Sequence, residues 1–158
     1  MNKMENISPE QIYDHVLKYV EKRLGTNGVT TAGQLDDVCK SAFKSQWLGV
    51  YPADRLPILN AKKCKCIYNA DKHDQPGSHW MALYYDKDSG REYSYDSFGR
   101  KIDSDKVYKN VKKSKKVKFK QSQEFDAEQT EEEENCGARC ISWLALAGQI
   151  PIDDLLTI

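Results

Sequence analysis

The sequence predicts a single α+β domain in which two helices precede a group of strands and one helix follows them. Helical hydrophobic spacing follows helix-start signals at residues 8 and 31, strand candidates lie between residues 63 and 120, and an apolar helix begins at residue 136. A chain of 158 residues is the usual size of one domain, and neither a repeat nor a linker divides it.

The composition indicates a soluble globular protein, because hydrophobic residues make up 39% and charged residues 30%. The N-terminus lacks the apolar core of a secretory signal, and the longest apolar stretch, residues 141–150, is about half the length that spans a bilayer. Lys plus Arg number 24, as do Asp plus Glu, so the net charge predicts no polyanionic partner. The odd count of five cysteines favours reduced thiols inside a cell, with a catalytic or metal-binding thiol left open.

Two helices are predicted at the N-terminus. The run Ser8-Pro9-Glu10-Gln11 is typical of a helix start, with a capping serine, a proline at the first position and a capping-box glutamine. Gly25 can end this helix, and Thr31 opens the second. The residues expected on the apolar faces are Ile12, Val16, Tyr19, Val20 and Leu24 in the first helix, and Leu35, Val38, Cys39, Ala42 and Phe43 in the second.

The middle of the chain predicts strands. Residues 47–59 contain Gly49, Pro52 and Pro57 and are interpreted as an ordered loop. The sequence Lys87-Asp88-Ser89-Gly90 has the composition of a hairpin turn. The predicted strands are residues 63–68, 79–86, 92–96 and 116–120.

Cys136 begins the last predicted helix, which follows an acidic, turn-like stretch at residues 126–134 and is expected to be capped by Asn135. The unpaired amides and the dipole at a helix N-terminus favour the thiolate, which is the nucleophilic form of cysteine. Gly137 leaves room for a substrate backbone to approach. A cysteine beside an apolar helix is more often a buried small residue, so Cys136 needs partners before it indicates catalysis.

His79 and Asp96 are candidate partners. His79 begins one strand of the predicted hairpin and Asp96 ends the other, so the two side chains can lie at the same end of the sheet. A histidine there can act as a general base, and a carboxylate can hold its tautomer and support its positive charge. Taken singly, His79 is more often a structural histidine and Asp96 a turn residue, and the three scattered positions are only a weak signal.

Taken together with their neighbours, these residues resemble the adenovirus maturation protease (adenain) family, which has relatives in other large DNA viruses and in virophage-like elements. The spacings from His79 to Asp96 and from Gln129 to Cys136 look the same as in that family. The resemblance covers roughly residues 47–147, preceded by a helical extension at residues 1–46. The motifs that carry it are His79-Trp80-Met81-Ala82, Tyr95-Asp96-Ser97-Phe98-Gly99, Gln129 and Asn135-Cys136-Gly137.

The resemblance implies a papain-like α+β fold, in which a mixed sheet packs against the helix that carries the nucleophile. Carried over residue by residue, it implies Cys136 as the nucleophile and His79 as its base and later acid. Asp96 would orient His79, a position where adenain has glutamate and the wider clan of ubiquitin-like protein proteases has aspartate. The side-chain amide of Gln129 would donate to the oxyanion.

Trp80 and Gly137 are the expected substrate-side neighbours of this site, with Trp80 shielding the catalytic pair from water. The resemblance implies cleavage of viral capsid or scaffold precursors near glycine and other small residues during virion maturation. The expected location is the virion and the site of virus assembly, in the nucleus or a cytoplasmic virus factory. We expect a monomer that does not bind a membrane.

No cofactor is required for the expected chemistry, but the resemblance implies DNA and a viral peptide as candidate activators. The family's peptide forms a disulfide with a cysteine well upstream of the nucleophile. No cysteine lies between Cys66 and Cys136 here, so that covalent link is not expected. A lysine-rich stretch would suit sequence-independent DNA binding, and a solvated charged surface is an equal alternative. Its candidate DNA contacts are Lys112, Lys113, Lys115 and Lys116.

Three rival interpretations remain. Cys64, Cys66, His73 and His79 include zinc-ligand types, but their spacing matches no common zinc finger, so no metal is predicted. A protease that removes ubiquitin or ubiquitin-like proteins would keep the fold and change the substrate. A catalytically inactive binding module would be indicated by a missing catalytic residue, and none is missing.

Overall fold

The computed structural model shows helices packed on one face of a mixed five-stranded sheet, and it confirms the predicted α+β class. It describes residues 7–52, 55–56, 64–69, 79–86, 90–97, 118–121 and 135–155. The helices are α1 (Pro9–Leu24), α2 (Ala32–Phe43), α3 (Cys136–Leu146) and the one-turn α4 (Ile152–Leu155). The strands are β1 (Trp47–Tyr51), β2 (Cys64–Asn69), β3 (Trp80–Asp86), β4 (Arg91–Tyr95) and β5 (Lys118–Gln121).

The N-terminal helices begin where the sequence predicts. Ser8 and Gln11 form a reciprocal capping box, with the Gln11 amide 3.2 Å from the Ser8 hydroxyl and the Ser8 amide 2.8 Å from the Gln11 side chain. Thr31 and Gln34 form the same box at the start of α2. Gly25 ends α1 in the left-handed conformation, at φ 76°. These local signals decide the boundaries because each satisfies backbone groups that a helix end leaves unpaired.

The buried face of α1 differs from the predicted one at Tyr19, which is 59% exposed. The residues that enter the core are Tyr13, Leu17 and Val20, spaced by four and three positions, whereas Ile12 lies at the edge of that stripe. The prediction was therefore wrong about which of the two tyrosines of this helix is buried.

In α2, Leu35 and Cys39 are buried as predicted, whereas Ala42 is exposed. The helix is joined to β1 by a hydrogen bond of 2.8 Å from the indole nitrogen of Trp47 to Asp36. This contact fixes α2 against the edge of the sheet.

The strands lie in the order β1-β2-β3-β4-β5. Strand β3 is antiparallel to both of its neighbours, β2 and β4. The two outer strands are parallel to theirs, β1 to β2 and β5 to β4. The predicted hairpin of β3 and β4 is confirmed, with Ala82 opposite Tyr95 and Asp86 opposite Arg91. Its first turn residues, 87–89, and the acidic stretch at 126–134 lie outside the described residues.

The predicted loop over residues 47–59 is wrong for its first part, because Trp47–Tyr51 is an edge strand. Gly49 has φ 136° and lies where the register with β2 shifts, so this glycine marks a bulge within a strand. Pro52 directly follows the strand, where no ladder hydrogen bond is required. The glycine and the nearby prolines predicted a loop. In the structure, however, the glycine is accommodated by a bulge within β1.

The two faces of the sheet carry different clusters. On the helix-covered face, Tyr95 stacks on Trp143 of α3 with ring centroids 5.4 Å apart. The opposite face carries a second buried cluster. Its members are Cys64, Cys66, Tyr68, Met81, Leu83 and Tyr85. Within the described part of the chain, none of the helices has both the length and the apolar character needed to cross a bilayer.

Candidate active site

His79 and Asp96 lie at one end of the β3–β4 hairpin. His79 directly precedes β3 and Asp96 directly follows β4, so the antiparallel pairing brings them side by side. The His79 Nε2 atom is 2.6 Å from the Asp96 Oδ1 atom. Both residues are buried, at 4% and 2% exposure, so this hydrogen bond is shielded from competing water.

Cys136 reaches the same place from α3. It is the first residue of the helix, is partly exposed, and accepts a hydrogen bond of 3.5 Å from the Trp80 backbone amide to its Sγ atom. The Asp96 side chain occupies Nε2 of His79, which leaves Nδ1 as the ring nitrogen for the thiol. A thiol, an imidazole and a carboxylate are thus assembled from three separate elements.

The predicted position of Asn135 before α3 is right, but its side chain makes no capping hydrogen bond to the helix. The Asn135 Oδ1 atom instead accepts from Nε of Arg139 at 3.1 Å. The capping prediction failed because a guanidinium one turn along the helix competes for the same oxygen.

The environment of Cys136 lowers the pKa of its thiol below the ordinary value of 9.0. Burial alone would raise that pKa, but the proximity of the His79 ring and the backbone amides of Trp80 and Gly137 outweigh it. These donors stabilise the thiolate, which is the form that attacks a carbonyl carbon.

The pKa of His79 is shifted the other way, above its ordinary value of 6.5. Burial alone would lower it, but the hydrogen bond with Asp96, the proximity of the Cys136 sulfur and the charges of both groups outweigh the burial. The two shifts together favour a thiolate and imidazolium pair over a neutral thiol and imidazole.

Trp80 and Gly137 lie beside this group. Trp80 places its backbone amide on the thiol, and its side chain packs against the helix-covered core. The space above Gly137 is filled from within the protein: a Cβ there would lie 2.3 Å from Thr30 Oγ1 and 2.8 Å from Leu35 Cδ2. Glycine is needed at this position because Thr30 and Leu35 of the N-terminal region approach it closely. The predicted reason, that glycine leaves room for a substrate backbone, is therefore replaced by packing within the protein.

The remaining predicted site residues lie outside the described residues. These are Gln129, Lys112, Lys113, Lys115 and Lys116, together with His73 of the rival zinc set. The described members of the zinc set lie in different parts of the fold. Cys64 and Cys66 belong to the cluster on the opposite face of the sheet, whereas His79 is hydrogen bonded to Asp96. Among the described residues, no group of three or more His, Cys, Asp and Glu side chains could hold a metal ion.

Sequence reasoning missed Tyr13, Thr30 and Arg139, which contact the chain neighbours of the three central residues. The buried stripe of α1 through Tyr13 and Leu17 was a usable signal for the first of these. An arginine one turn into an otherwise apolar helix was the signal for Arg139, since a buried guanidinium needs acceptors close by. Thr30 carried no local signal.

The mixed sheet, the helix that begins with Cys136 and the buried carboxylate–imidazole pair define the class of thiol proteases with a papain-like arrangement. The sequence profile of the adenovirus endoprotease family matches residues 47–146. The chain therefore belongs to the adenovirus endoprotease family, which confirms the resemblance noted from its motifs.

A second comparison gives a relative from a mimivirus. The chain is 46% identical over 47 residues to a protein of Acanthamoeba polyphaga mimivirus named “Putative thiol protease”. The match covers 30% of this chain and only 16% of the mimivirus protein. The match supports the thiol protease class. Most of the mimivirus protein lies outside the matched segment.

Proposed function

We propose that this chain is a cysteine endopeptidase in which Cys136 is the nucleophile, His79 is the general base and acid, and Asp96 orients His79. The observation that carries the proposal is the position of His79, which lies between a carboxylate at 2.6 Å and a thiol whose pKa it lowers. The family membership and the mimivirus relative support the reaction class.

Acylation follows from these roles. The Cys136 thiolate attacks the carbonyl carbon of the scissile peptide, forming a C–S bond and moving the carbonyl electron pair onto oxygen. When that oxyanion collapses, the C–N bond breaks and the protonated imidazole of His79 delivers its proton to the leaving amine. The acyl group is then a thioester on Cys136, and His79 is neutral.

Deacylation uses the same groups in reverse. The neutral His79 ring takes a proton from water, and the resulting hydroxide attacks the thioester carbonyl. Collapse of the second oxyanion breaks the C–S bond and restores the thiolate and imidazolium pair. Asp96 keeps the ring in one tautomer and stabilises its positive charge in both half-reactions.

The oxyanion needs hydrogen-bond donors, and we propose the side-chain amide of Gln129 together with the backbone amide of Cys136. The spacing of the two residues in the family motif supports this role. Loss of one such donor typically costs about 2.7–4 kcal/mol of transition-state stabilisation.

The proposed substrates are viral capsid or scaffold precursors, cleaved near glycine and other small residues during virion maturation at the site of virus assembly. DNA, bound through Lys112 and its lysine neighbours, and a viral peptide are the proposed activators. The viral sources of the family and of the mimivirus relative support this setting. A protease of ubiquitin-like proteins is the alternative that substrate tests must separate.

The pH dependence of iodoacetamide alkylation at each cysteine, read by peptide mass spectrometry, tests the activated pair. Cys136 is expected to react rapidly with a midpoint well below the ordinary thiol pKa of about 8.5. In the His79→Ala variant the midpoint is expected above that of an ordinary thiol, because burial then acts on the pKa of Cys136 with less opposition. Peptidase activity is expected to fall by about 10²–10⁴-fold.

His15→Ala is the matched control, because it removes an exposed histidine from α1. If Cys136 of the wild type reacts like an ordinary thiol, the assay is repeated with added DNA and a capsid-derived peptide. Recovery of a low midpoint identifies an enzyme that awaits its activator, and continued inertness contradicts the catalytic interpretation. Cleavage of glycine-containing peptides against release from ubiquitin-like fusions then decides the substrate class.

A further inference from the structure

The helical unit, which we define as residues 7–46, contains α1, α2 and the loops around them. It precedes the residues matched by the family profile, 47–146, yet α1 packs along α3, and α2 packs on both α3 and β1. Three contacts, two of them buried and one partly buried, connect this unit with chain neighbours of His79, Asp96 and Cys136, directly or through Arg139.

The first contact joins α1 to the end of β4. The hydroxyl oxygens of Tyr13 and Tyr95 are 2.6 Å apart, and both residues are buried. Tyr95 directly precedes Asp96, and its ring is also stacked on Trp143 of α3. The hydroxyl contact and the stacking together fix the backbone from which the Asp96 carboxylate extends.

The second contact continues from Tyr13 to the start of α3. Nη1 of Arg139 donates to the Tyr13 hydroxyl at 3.4 Å, and Nε of Arg139 donates to the Asn135 side chain at 3.1 Å. Asn135 directly precedes Cys136, and both Arg139 and Asn135 are buried. One chain of buried hydrogen bonds therefore runs from the end of β4 to the start of α3, and Tyr13 lies at its centre.

The third contact comes from the loop between α1 and α2. The carbonyl oxygen of Thr30 accepts a hydrogen bond of 3.1 Å from the indole nitrogen of Trp80, which directly follows His79. The Thr30 side chain also lies against Gly137, which directly follows Cys136. One buried residue of the helical unit thus touches a neighbour of the base and a neighbour of the nucleophile.

We infer that Tyr13 and Thr30 are positioning residues for the reaction, and that the helical unit is an integral part of the active site although it lies outside the residues matched to the family. The inference rests on the proposed function, because it takes Cys136, His79 and Asp96 as the reacting group. Neither residue touches the reacting atoms; each acts through the chain neighbours of those three side chains.

Tyr13 is the decisive residue because its single hydroxyl serves two partners. Phenylalanine at this position keeps the ring and its packing but removes the hydrogen bonds to Tyr95 and Arg139 together. Those two groups are buried, where a lost hydrogen bond is replaced poorly by water. A displacement of about 1 Å in a reacting group can cost about 10²-fold in rate, so a small relaxation of this network is measurable.

The test is Tyr13→Phe in the full chain, with the iodoacetamide reaction of Cys136 followed across pH alongside thermal unfolding. The midpoint for Cys136 is expected to rise by at least about half a pH unit, which lowers the rate below the midpoint by about threefold or more. Tyr95→Phe removes the same hydroxyl contact from the other side and is expected to shift the midpoint in the same direction. The double variant is expected to be little worse than either single one, because both lose one shared interaction.

Two tyrosines provide matched controls. Tyr84→Phe removes a hydroxyl from an equally buried tyrosine on the same face of the sheet, near Gly148 beyond the far end of α3. Tyr19→Phe removes an exposed hydroxyl from α1 itself. Tyr84→Phe is expected to lower the unfolding temperature without moving the Cys136 midpoint, and Tyr19→Phe is expected to change neither.

The inference is overturned if Tyr13→Phe and Tyr95→Phe lower the unfolding temperature as Tyr84→Phe does but leave the Cys136 midpoint at its wild-type value. This failure is distinct from failure of the proposed function, in which the wild type itself shows no activated thiol with or without the activators. Should Tyr13→Phe fail to fold, Tyr95→Phe gives the decision alone, since its ring remains stacked on Trp143.

Discussion

Two cysteines of the molecule lie near a carboxyl group, and their thiol pKa values are shifted in opposite directions. At the end of β3 and β4, the pKa of Cys136 is lowered and Asp96 is hydrogen bonded to His79. On the opposite face, burial together with the nearby Glu92 raises the pKa of Cys66 well above 9.0. Burial also raises the pKa of Glu92 to about 8.

The difference shows that burial and a nearby carboxyl group do not activate a thiol. Cys136 has what Cys66 lacks: a helix N-terminus, backbone amides directed at its sulfur, and a histidine that can carry the opposite charge. Cys66 lies within β2, where backbone amides are used in the sheet, and it is fully buried. The pairing partner, more than the depth of burial, decides which cysteine can be a nucleophile.

Replacement of Asp96 is expected to give the largest change in this comparison. Asp96→Asn keeps the shape of the side chain but removes the charge that supports the His79 imidazolium, so the raised pKa of His79 should fall. We expect kcat/KM to fall by about 10- to 10³-fold and the Cys136 alkylation midpoint to rise toward that of Cys66. Asp37→Asn, which neutralises an exposed carboxylate of α2, should leave both quantities unchanged.

The same variant has a consequence for stability with a definite sign. His79 has a folded pKa above its unfolded value near 6.5, so its pair with Asp96 contributes stability that is complete below pH 6.5 and is lost as pH rises through the folded pKa. Asp96→Asn should remove this dependence, as measured by urea unfolding across pH. An unchanged pH profile of unfolding would contradict the ion pair.

A smaller effect is expected at the opposite face. Glu92 is 1% exposed, and its Oε2 atom has no hydrogen-bond partner among the described residues, so the folded protein holds this carboxyl protonated up to about pH 8. The unfolded chain releases that proton near pH 4.5, so the free energy of unfolding should decrease between pH 4.5 and 8, by a few kcal/mol in all.

Glu92→Gln should abolish this decrease, because the amide does not ionise. Urea unfolding at several pH values measures it, with Glu10→Gln, an exposed change in α1, as the control that keeps the slope. If the decrease between pH 4.5 and 6.5, a range below the loss expected from His79, persists in Glu92→Gln, the second face does not contain the neutral carboxyl group on which the comparison depends.

The sequence predicted the elements whose causes are local. The capping boxes at Ser8 and Thr31, the glycine stop of α1 and the hairpin of β3 and β4 all rest on residues close together in the chain, and each is observed. The positions of His79 and Asp96 at one end of that hairpin follow from the same local pairing. Their catalytic roles, with that of Gln129, stay predictions.

Features with distant causes could not be derived in this way. Tyr19 and Tyr13 lie on the same helix, and only the docking of α1 against α3 and Tyr95 decides which one is buried. Gly137 was explained by a substrate because its true neighbour, Thr30, lies more than a hundred positions earlier. The edge strand at Gly49 was missed because its bulge depends on the register with a partner strand.

The smallest effect on the Cys136 thiol is expected from replacing Cys66 or Cys140, two buried cysteines whose thiols are not paired with a histidine in the described structure. Cys66→Ala should cost about 1–2 kcal/mol of unfolding free energy through lost packing, and Cys140→Ala in α3 a similar amount. Neither should move the Cys136 alkylation midpoint, because both thiols are neutral at ordinary pH, their pKa values being raised by burial. Cys140 gives the more stringent test, since it lies one turn from Cys136 on the same helix and is completely buried.

A shift of the Cys136 midpoint in Cys140→Ala alone would mean that packing beneath the start of α3 helps to lower the pKa of the Cys136 thiol. A shift of the Cys136 midpoint in Cys66→Ala would mean that the two faces are coupled through the sheet. The two cysteines would then not be independent of each other.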